Sequence, residues 1–352
     1  MYKGILTSLI LAFALVLGSC SKDPIPAPIP NTGIPVFVVC EGAYGNGNSA
    51  LTAYNLTSNT AEEDIYQRIN GQPLGDVFQS MMRSRDSNYF LCINNSDKII
   101  ILDKRSLLKL TEIAVPKPRY IVQVSDTKAY VSTLYNNKVY IINPKTFSVS
   151  GTISLPFKNP EGMLLLGDKV FVCPWDTAAN AIFSIDTATD IVSSPIPVSG
   201  RAPQEIVQDN DGMIWVLSGN KADGVEGKLT RLNPATGAVL KTFSFGNADP
   251  LRLVFNPEKT LLYFIEVSYS GSATNNGLYR MGIDDSVLPS MAFIPASGLQ
   301  YFWGLGIDPF SGNIYLSDPV GFTQRGKVYV YQPDCTLVNS FMTGVGPGHF
   351  LF

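Results

Sequence analysis

The chain of 352 residues contains a single histidine, His349, and this limits the reactions that its side chains could catalyse. A metal site built from several histidines is excluded, and a Ser-His-Asp triad would depend on His349 alone. The Gly-x-Ser-x-Gly motif of a nucleophile elbow is absent from the sequence. No two acidic residues are singled out by their context as the acid and base of a glycosidase. The sequence therefore predicts a protein that is not an enzyme.

Charge and composition narrow the class of protein further. Charged residues make up 16% and apolar residues 45% of the chain, which also contains 30 glycines and 24 prolines. This balance is typical of short strands joined by many turns. The net charge is −3 and no run of basic residues occurs. The sequence therefore predicts no binding of nucleic acid.

A repeated unit of four short strands accounts for most of the chain. In the clearest copy, residues 120–155, four runs that are apolar or alternating are each bounded by Asn, Asp, Gly or Pro. This pattern is typical of β-strands joined by hairpins. Four strands every 40 to 50 residues or so is the period of a β-propeller blade. Successive copies begin, at spacings of 42, 43 and 47 residues, with Pro118, Pro160, Pro203 and Pro250.

The two ends of the repeat region complete a ring. Residues 36–39, 50–55 and 61–66 predict three strands of a blade that lacks its innermost strand. Residues 346–352 match the proline-headed first strand of the other copies. Pairing this strand with the first three closes the ring and leaves no unpaired edge at the seam. The sequence therefore predicts an all-β fold, a seven-bladed β-propeller of four-stranded blades.

Three cysteines stand at matching places in the repeat, where each closes a predicted strand. These are Cys40, Cys92 and Cys173, and Ser132 and Ser317 occupy the same place in other copies. The spacing fits neither a disulfide framework nor a zinc site. We interpret this column as small side chains that pack in the core, with unreactive thiols.

The first residues predict a lipid anchor. Lys3 precedes an apolar run at 5–17, which is shorter than the roughly 20 residues of a membrane span and has the length of a signal-peptide core. The run ends in Leu17-Gly18-Ser19-Cys20, which resembles a bacterial lipobox and predicts lipidation of Cys20. The alternating prolines that follow favour an extended, semi-rigid stalk. The predicted divisions are a lipoprotein signal peptide at 1–19, the lipidated cysteine and stalk at 20–33, and the propeller at 34–352.

The clearest repeat also carries a family resemblance. Its segments Tyr-Val-Ser (130–132), Asn-Asn-Lys-Val-Tyr-Ile-Ile-Asn-Pro (136–144) and Ser-Gly-Thr-Ile-Ser-Leu (150–155) resemble the YVTN repeat of YncE-like, surface-layer-type propellers. Together with the lipobox and the stalk, they make the chain similar to surface propeller lipoproteins of gut anaerobes, and among these to the BtuG-like corrinoid-binding proteins. The resemblance implies a protein that captures vitamin B12 or a related corrinoid and hands it to a TonB-dependent outer-membrane transporter. It implies a location in the outer membrane, facing the cell exterior, with lipid as the only membrane contact.

Propeller topology nominates the residues that would meet a ligand. Loops that lead into the innermost strands, and loops between second and third strands, gather on one face around the central channel. Long loops that bear aromatic residues, beside tight turns at 94–97 and 136–137, would give this face a contour suited to a flat apolar ring. Arg119 or Arg252 could then meet a phosphate of the ligand. The predicted ligand-binding residues are Tyr44, Asp76, Arg119, Tyr135, Glu161, Trp175, Gln204, Arg252, Tyr269, Trp303, Phe322 and His349.

Two other functions stay open on the sequence alone. The propeller could be an adhesion protein or a scaffold that binds a glycan or another protein. Alternatively, Asp76, Glu161 and Glu205 could line the channel and bind Ca²⁺ through their oxygen atoms, which would make the chain a calcium-assisted hydrolase of the lactonase type. The spacing of these carboxylates follows from the repeat and carries no further specificity.

Overall fold

Each blade of the protein begins with a strand that lines a central channel and ends with a strand at the outer rim. The computed structural model describes residues 35–268 and 275–352. It contains seven antiparallel sheets of four strands each, so the predicted seven-bladed β-propeller is confirmed. The predicted signal peptide, the predicted lipidation site Cys20 and the proline-rich stalk lie outside the described residues.

The strands follow one another from the channel to the rim in six of the blades, and blade one takes its innermost strand from the end of the chain. Blade one contains β1 (Val36–Cys40), β2 (Ala50–Asn55), β3 (Thr60–Glu62) and β28 (Pro347–Leu351). Blades two and three contain β4 (Phe78–Arg83), β5 (Tyr89–Ile93), β6 (Lys98–Leu102), β7 (Lys109–Ala114), β8 (Pro118–Ser125), β9 (Lys128–Thr133), β10 (Lys138–Asn143) and β11 (Ser148–Ser154). Blades four and five contain β12 (Pro160–Leu166), β13 (Lys169–Pro174), β14 (Ala181–Asp186), β15 (Ile196–Pro197), β16 (Pro203–Gln208), β17 (Ile214–Asn220), β18 (Val225–Leu232) and β19 (Val239–Ser244). Blades six and seven contain β20 (Asp249–Phe255), β21 (Leu261–Val267), β22 (Gly277–Gly282), β23 (Ile294–Pro295), β24 (Leu305–Ile307), β25 (Ile314–Asp318), β26 (Arg325–Tyr331) and β27 (Leu337–Val345).

The seam of the ring is closed as the sequence predicts. Strand β28 pairs antiparallel with β1, with Phe37 opposite Leu351 and Val39 opposite His349. The Phe350 ring packs against Tyr315 of blade seven, at a centroid distance of 5.7 Å. The last strand therefore joins blade one by hydrogen bonds and blade seven by side-chain packing.

One predicted strand is wrong in part. The third strand of blade one was expected to cover 61–66, but β3 ends at Glu62 and a short helix, α1 (Ile65–Asn70), follows. Ile65 and Tyr66 are both buried in the core between blades one and two. Two adjacent residues of a strand point to opposite faces and so to different cores. Burial of both residues in the same core therefore favours the helix. The Asn70 amide fixes α1 to blade two, because its oxygen accepts the backbone N–H of Lys109.

The innermost strands share a device at their starts. In five blades the residue just before the strand has a left-handed backbone. Its carbonyl accepts an N–H from the residue that follows the second strand, or, in blade five, from the last residue but one of that strand. This conformation costs a residue other than glycine about 1–2 kcal/mol, so the hydrogen bond must hold it. It ties the start of the first strand to the loop after the second strand. We call the end of the molecule where these loops meet the loop face. The residues are Val77, Lys117, Asn159, Ala202 and Gly346.

The turns between third and fourth strands, on the opposite face, also repeat. An Asn or Asp at the end of the third strand, or just after it, accepts the backbone N–H two residues further on, as Asn143 does from Lys145 at 2.9 Å. This side-chain turn explains why the sequence shows an Asn or Asp there in successive copies. The same bond is made by Asn55, Asp103, Asp186 and Asn233.

The column of small residues packs as predicted. Cys40, Cys92 and Cys173 are free and fully buried, as are Ser132 and Ser317. Burial raises the pKa of the Cys40 thiol to about 11 and that of Cys92 to about 12. Since the thiolate is the reactive form, these thiols are unreactive near neutral pH.

One carboxyl group faces the apolar core between blades five and six. Glu266 lies on the same face of β21 as Leu262 and Phe264, which belong to that core. Within the described residues its carboxyl makes no hydrogen bond or ion pair, and its burial raises its pKa to about 7. Such a group favours the protonated form in the folded state.

We expect Glu266 to make the folded state less stable as pH rises. Its unfolded pKa is about 4.3, so the folded state holds the extra proton between about pH 4 and 7 and stability is lost across that window. Because the side chain is partly exposed, the loss should be about 1–2 kcal/mol. Urea unfolding of Glu266→Gln should show a shallower pH dependence than wild type, with higher stability above neutral pH. The exposed Glu258→Gln is the control, and equal pH slopes in wild type and Glu266→Gln would contradict the assignment.

Candidate ligand-binding site

The starts of the innermost strands bring two buried ion pairs into the channel. The Arg119 guanidinium grips both oxygens of Glu161, with Nε at 2.8 Å from Oε2, and its Nη1 donates to Gln79. Glu161 is only 5% exposed. Burial disfavours the charge on Arg119, but the Glu161 carboxylate outweighs this effect and raises the pKa of Arg119. Arg119 therefore stays charged, and its guanidinium is matched in geometry to the Glu161 carboxylate.

Arg252 forms the second ion pair, with Glu41, on the far side of the channel. Its backbone is left-handed, with φ of 57°, and the Glu205 carboxylate accepts its N–H and that of Leu253. Its guanidinium donates from Nε to the Trp303 carbonyl at 3.1 Å and from Nη2 to Glu41 at 3.4 Å. Strained backbone of this kind persists only where the surroundings hold it, and it often marks a functional position.

Glu41 supports the Trp303 ring. The indole N–H of Trp303 donates to Glu41 Oε1 at 2.8 Å, and the Arg252 guanidinium lies 5.0 Å from the ring centroid. Gly348 allows this arrangement, because a Cβ at that position would come within 2.1 Å of the same Glu41 oxygen. On its outer side Trp303 meets the edge of Phe322, at a centroid distance of 5.2 Å. Residues of blades one, six and seven thus fix one aromatic ring.

The electrostatics of the channel follow from burial. Burial raises the pKa of Glu41 and of Glu205 above their usual values, and in both cases Arg252 partly offsets the shift. Burial lowers the pKa of His349 well below its usual value, and the two arginines lower it further. His349 is therefore neutral near neutral pH.

The tautomer of His349 is fixed by its neighbour. Arg252 Nη1 lies 3.2 Å from His349 Nε2, and a guanidinium nitrogen can only donate. Nε2 is therefore the acceptor and Nδ1 carries the proton. The Tyr120 hydroxyl lies 3.4 Å from the same Nε2. His349 acts here as a buried hydrogen-bond partner.

These polar groups divide the channel into two chambers. The upper chamber opens at the loop face and has a volume of about 420 Å³, with Trp175, Gln204 and Trp303 among its walls. The lower chamber has a volume of about 260 Å³ and is lined by His349 and by apolar side chains of the innermost strands. Tyr120, Glu205 and Arg252 border both chambers. A ligand arriving from the loop face would thus meet a polar floor.

The predicted ligand-binding residues fall into three groups. Six of them line the upper chamber, and His349 lines the lower one. Four others lie around the mouth or support it: Phe322 packs on Trp303, Asp76 accepts the Gly45 N–H, and Tyr44 and Tyr135 are 77% and 70% exposed. Tyr269 lies outside the described residues. The six residues of the upper chamber are Arg119, Glu161, Trp175, Gln204, Arg252 and Trp303.

Sequence reasoning missed several residues that line the upper chamber. Glu41 follows β1 directly and so begins a loop between second and third strands, a position that topology could have nominated. Lys221 lies in the corresponding loop of blade five, directly after β17. Gln79 lies one residue, and Tyr120 two residues, beyond the start of an innermost strand. Glu205 was nominated only as a calcium ligand, and the residues missed altogether are Glu41, Gln79, Tyr120, Lys221 and Asp249.

The carboxylates proposed for calcium do not converge. Asp76 is bonded to Gly45 and Asn95 in the loops, Glu161 to Arg119, and Glu205 to backbone N–H groups. Across residues 35–268 and 275–352, no group of three or more His, Cys, Asp or Glu side chains could hold a metal ion. Over the same residues, no helix is long and apolar enough to cross a membrane.

Fold and site together define a seven-bladed β-propeller with a ligand-sized chamber at its loop face. A family model described as a domain of unknown function, DUF5074, matches residues 35–339, so the chain belongs to that family. No curated protein matches the chain.

Solved structures that resemble the chain share its fold at low sequence identity. A quinonprotein alcohol dehydrogenase-like protein from Bacteroides thetaiotaomicron has a TM-score of 0.66 and 16% identity over 91% of this chain and 78% of that one. Hydrazine synthase of Kuenenia stuttgartiensis has a TM-score of 0.62 and 16% identity, over 76% and 87%. A dihydro-heme d1 dehydrogenase, NirN, in complex with DHE has a TM-score of 0.60 and 11% identity, over 92% and 76%.

Proposed function

We propose that the protein is a surface lipoprotein that captures a corrinoid at its loop face and hands it to a TonB-dependent outer-membrane transporter. The observation that carries the proposal is the upper chamber, an open cavity of about 420 Å³ walled by Trp175 and Trp303. Pockets for small ligands are commonly of this volume and lined by aromatic side chains with a few polar groups. The lipid anchor, the cell-surface location and the transporter rest on the lipobox and on the resemblance to YncE-like and BtuG-like propellers.

The size of the chamber limits how a corrinoid would bind. A whole corrinoid, with its macrocycle and nucleotide, is larger than the chamber, so the ring would lie across the mouth and one arm would enter. Exposed Tyr44 and Tyr135 stand at the mouth and could cover an apolar ring at small entropy cost. One protein of similar fold is, by its name, a dehydrogenase of a dihydro-heme, which is also a flat macrocycle. This likeness supports the proposal at the level of fold.

The proposal differs from the expectation that Arg119 or Arg252 meets a phosphate. Each guanidinium already donates to protein acceptors, Arg119 to Glu161 and Gln79, and Arg252 to Glu41, His349 and the Trp303 carbonyl. A phosphate would have to compete with Glu161 and Glu41 for the charge of these guanidinium groups, so the nucleotide is better placed outside the chamber.

Titration calorimetry with cyanocobalamin tests the proposed function. We expect binding to the native protein, and a loss of about tenfold or more in Trp303→Ala, because buried aromatic anchors dominate binding energy. Phe310→Ala is the matched control, since this exposed ring lies between β24 and β25 on the opposite face. Absence of heat with native protein would remove the corrinoid from the proposal. Equal weakening by both substitutions would remove the site.

A further inference from the structure

We propose that the upper chamber binds an uncharged carboxamide group and rejects carboxylates and phosphates. The identity of the whole ligand rests on the proposed function, because corrinoids carry several primary amides on their periphery. The class of group that enters the chamber is inferred from the charges and hydrogen bonds of the chamber itself.

The charge of the chamber disfavours an anion. Its walls contain one more acidic than basic side chain. Within the described residues the hydrogen-bond partners of the Glu41 and Glu205 oxygens are all N–H donors, which favours the ionised form of these carboxyls and opposes the effect of burial. Adding a ligand carboxylate would raise the negative charge of a partly buried site. The acidic residues are Glu41, Glu161, Glu205 and Asp249, and the basic ones are Arg119, Lys221 and Arg252.

The two arginines are not available to compensate an added anion. All three nitrogens of the Arg119 guanidinium donate to Glu161 or Gln79. The three nitrogens of Arg252 donate to the Trp303 carbonyl, His349 and Glu41. Each guanidinium keeps two of its five N–H groups, but its charge is already matched by the Glu161 or the Glu41 carboxylate, so an added anion would have to compete with that carboxylate. The two guanidinium groups at the floor of the chamber therefore pair with groups of the protein and not with the ligand.

Apart from the Lys221 ammonium, which pairs with no carboxylate within the described residues, the groups that remain available match an amide. Within the described residues the Gln204 side chain makes no hydrogen bond, although it lines the chamber. Its primary amide offers one acceptor oxygen and an N–H donor side by side, so it can pair with a ligand carboxamide through two reciprocal hydrogen bonds. A carboxylate could accept only one of these and would face the Gln204 oxygen. Glu41 Oε2 also accepts no hydrogen bond from the described residues and offers a further acceptor for a ligand N–H.

The chain contains three tryptophans, and these provide a direct measurement. Trp175 and Trp303 line the chamber, whereas Trp215 is fully buried in blade five and serves as the internal control. The indole N–H of Trp175 donates to the Gly219 carbonyl, that of Trp303 to Glu41, and that of Trp215 to Asp209. Because these surroundings differ, each indole should give a distinct signal in a ¹H–¹⁵N spectrum. The probes are propionamide and propionate, which differ only in the group under test.

We expect propionamide to shift the indole signals of Trp175 and Trp303 near neutral pH at concentrations up to about 100 mM, the range of a weak fragment. Propionate at matched ionic strength should bind at least about tenfold more weakly, and the Trp215 signal should not move with either probe. Equal or tighter binding of propionate would overturn the inference. Signals of Trp175 and Trp303 that stay unmoved by propionamide would overturn it as well.

Substitution of Gln204 tests the reciprocal pair. Gln204→Leu should weaken propionamide binding by about tenfold and leave propionate unchanged, because only the amide uses both hydrogen bonds. Gln208→Leu is the matched control, a glutamine of the same strand whose amide donates to the Gly212 carbonyl at the other end of the blade. An unchanged Trp215 signal reports that each variant is folded. Propionamide binding that survives Gln204→Leu at full strength would overturn the role of this residue.

The fragment titration and the cyanocobalamin titration fail independently. If propionamide binds selectively and cyanocobalamin gives no heat, the carboxamide site stands and the corrinoid function falls. If cyanocobalamin binds while propionamide neither shifts the indole signals nor competes with it, the corrinoid function stands and the carboxamide site falls.

Discussion

Deletion of residues 346–352 should abolish the cooperative unfolding of the propeller. The deleted segment contains β28, the innermost strand of blade one, whose loss would leave the inner edge of β1 unpaired in the channel. It also contains Phe350, which packs with Tyr315 and Phe352 at the junction with blade seven. The expected loss exceeds about 5 kcal/mol, which is comparable with the whole stability of many domains. Thermal unfolding followed by near-UV circular dichroism should show no sharp transition.

A circular permutant separates the loss of the strand from the loss of its connection. In this variant the chain starts at Gly346, Phe352 is joined to Pro35 by a short turn, and Val345 is the last residue. Phe37 lies opposite Leu351, so the two ends to be joined are already neighbours. We expect the permutant to unfold cooperatively near the native midpoint. A deletion variant with a native transition would show that closure of the ring does not depend on β28. A permutant that fails to fold would show that pairing of β28 is not sufficient without its native connection to β27.

The sequence was sufficient to predict the ring because the information is local and repeated. Alternation of apolar residues marks each strand, and an Asn or Asp such as Asn143 marks the turn into the outer strand. The missing innermost strand of blade one could be found by counting strands, since a closed ring cannot leave an edge in its channel. Helix α1 could not be found in this way. Its residues Ile65 and Tyr66 have ordinary strand propensities, and only their packing between two blades selects the helix.

The site could be predicted in outline but not in its pairings. Topology places the starts of all innermost strands around one channel, and this was enough to nominate Arg119, Glu161 and Arg252. It could not pair Trp303 with Glu41, because these residues are 262 positions apart and meet only when the ring closes. For the same reason the sequence suggested that the arginines would be free to bind a phosphate. Which groups a ligand can use depends on which groups the protein has already used.

Loss of Arg119 should be far more damaging than the loss of a surface arginine. Arg119→Leu leaves the Glu161 carboxylate, 5% exposed, without the cation that holds both its oxygens. An unpaired buried charge of this kind costs about 3–5 kcal/mol. Urea unfolding should show a loss of this size. Arg68→Leu is the control, since its pair with Glu62 is more than half exposed on both sides and such pairs contribute less than about 1 kcal/mol.

The double variant Arg119→Leu/Glu161→Leu separates two contributions to the loss of stability. One is the cost of leaving the Glu161 charge unpaired, and the other is the net stabilisation by the ion pair. Replacing both partners also removes the carboxylate that Arg119→Leu leaves unpaired, so most of the lost stability should return. The double-mutant cycle should therefore give a coupling energy of several kcal/mol. If the double variant is no more stable than Arg119→Leu, the damage comes from lost packing around the guanidinium and not from Glu161. If stability returns, the pair is not needed to hold the ring together. Its remaining effect is on the chamber floor, where a charged pair gives the ligand polar walls without offering it a free charge.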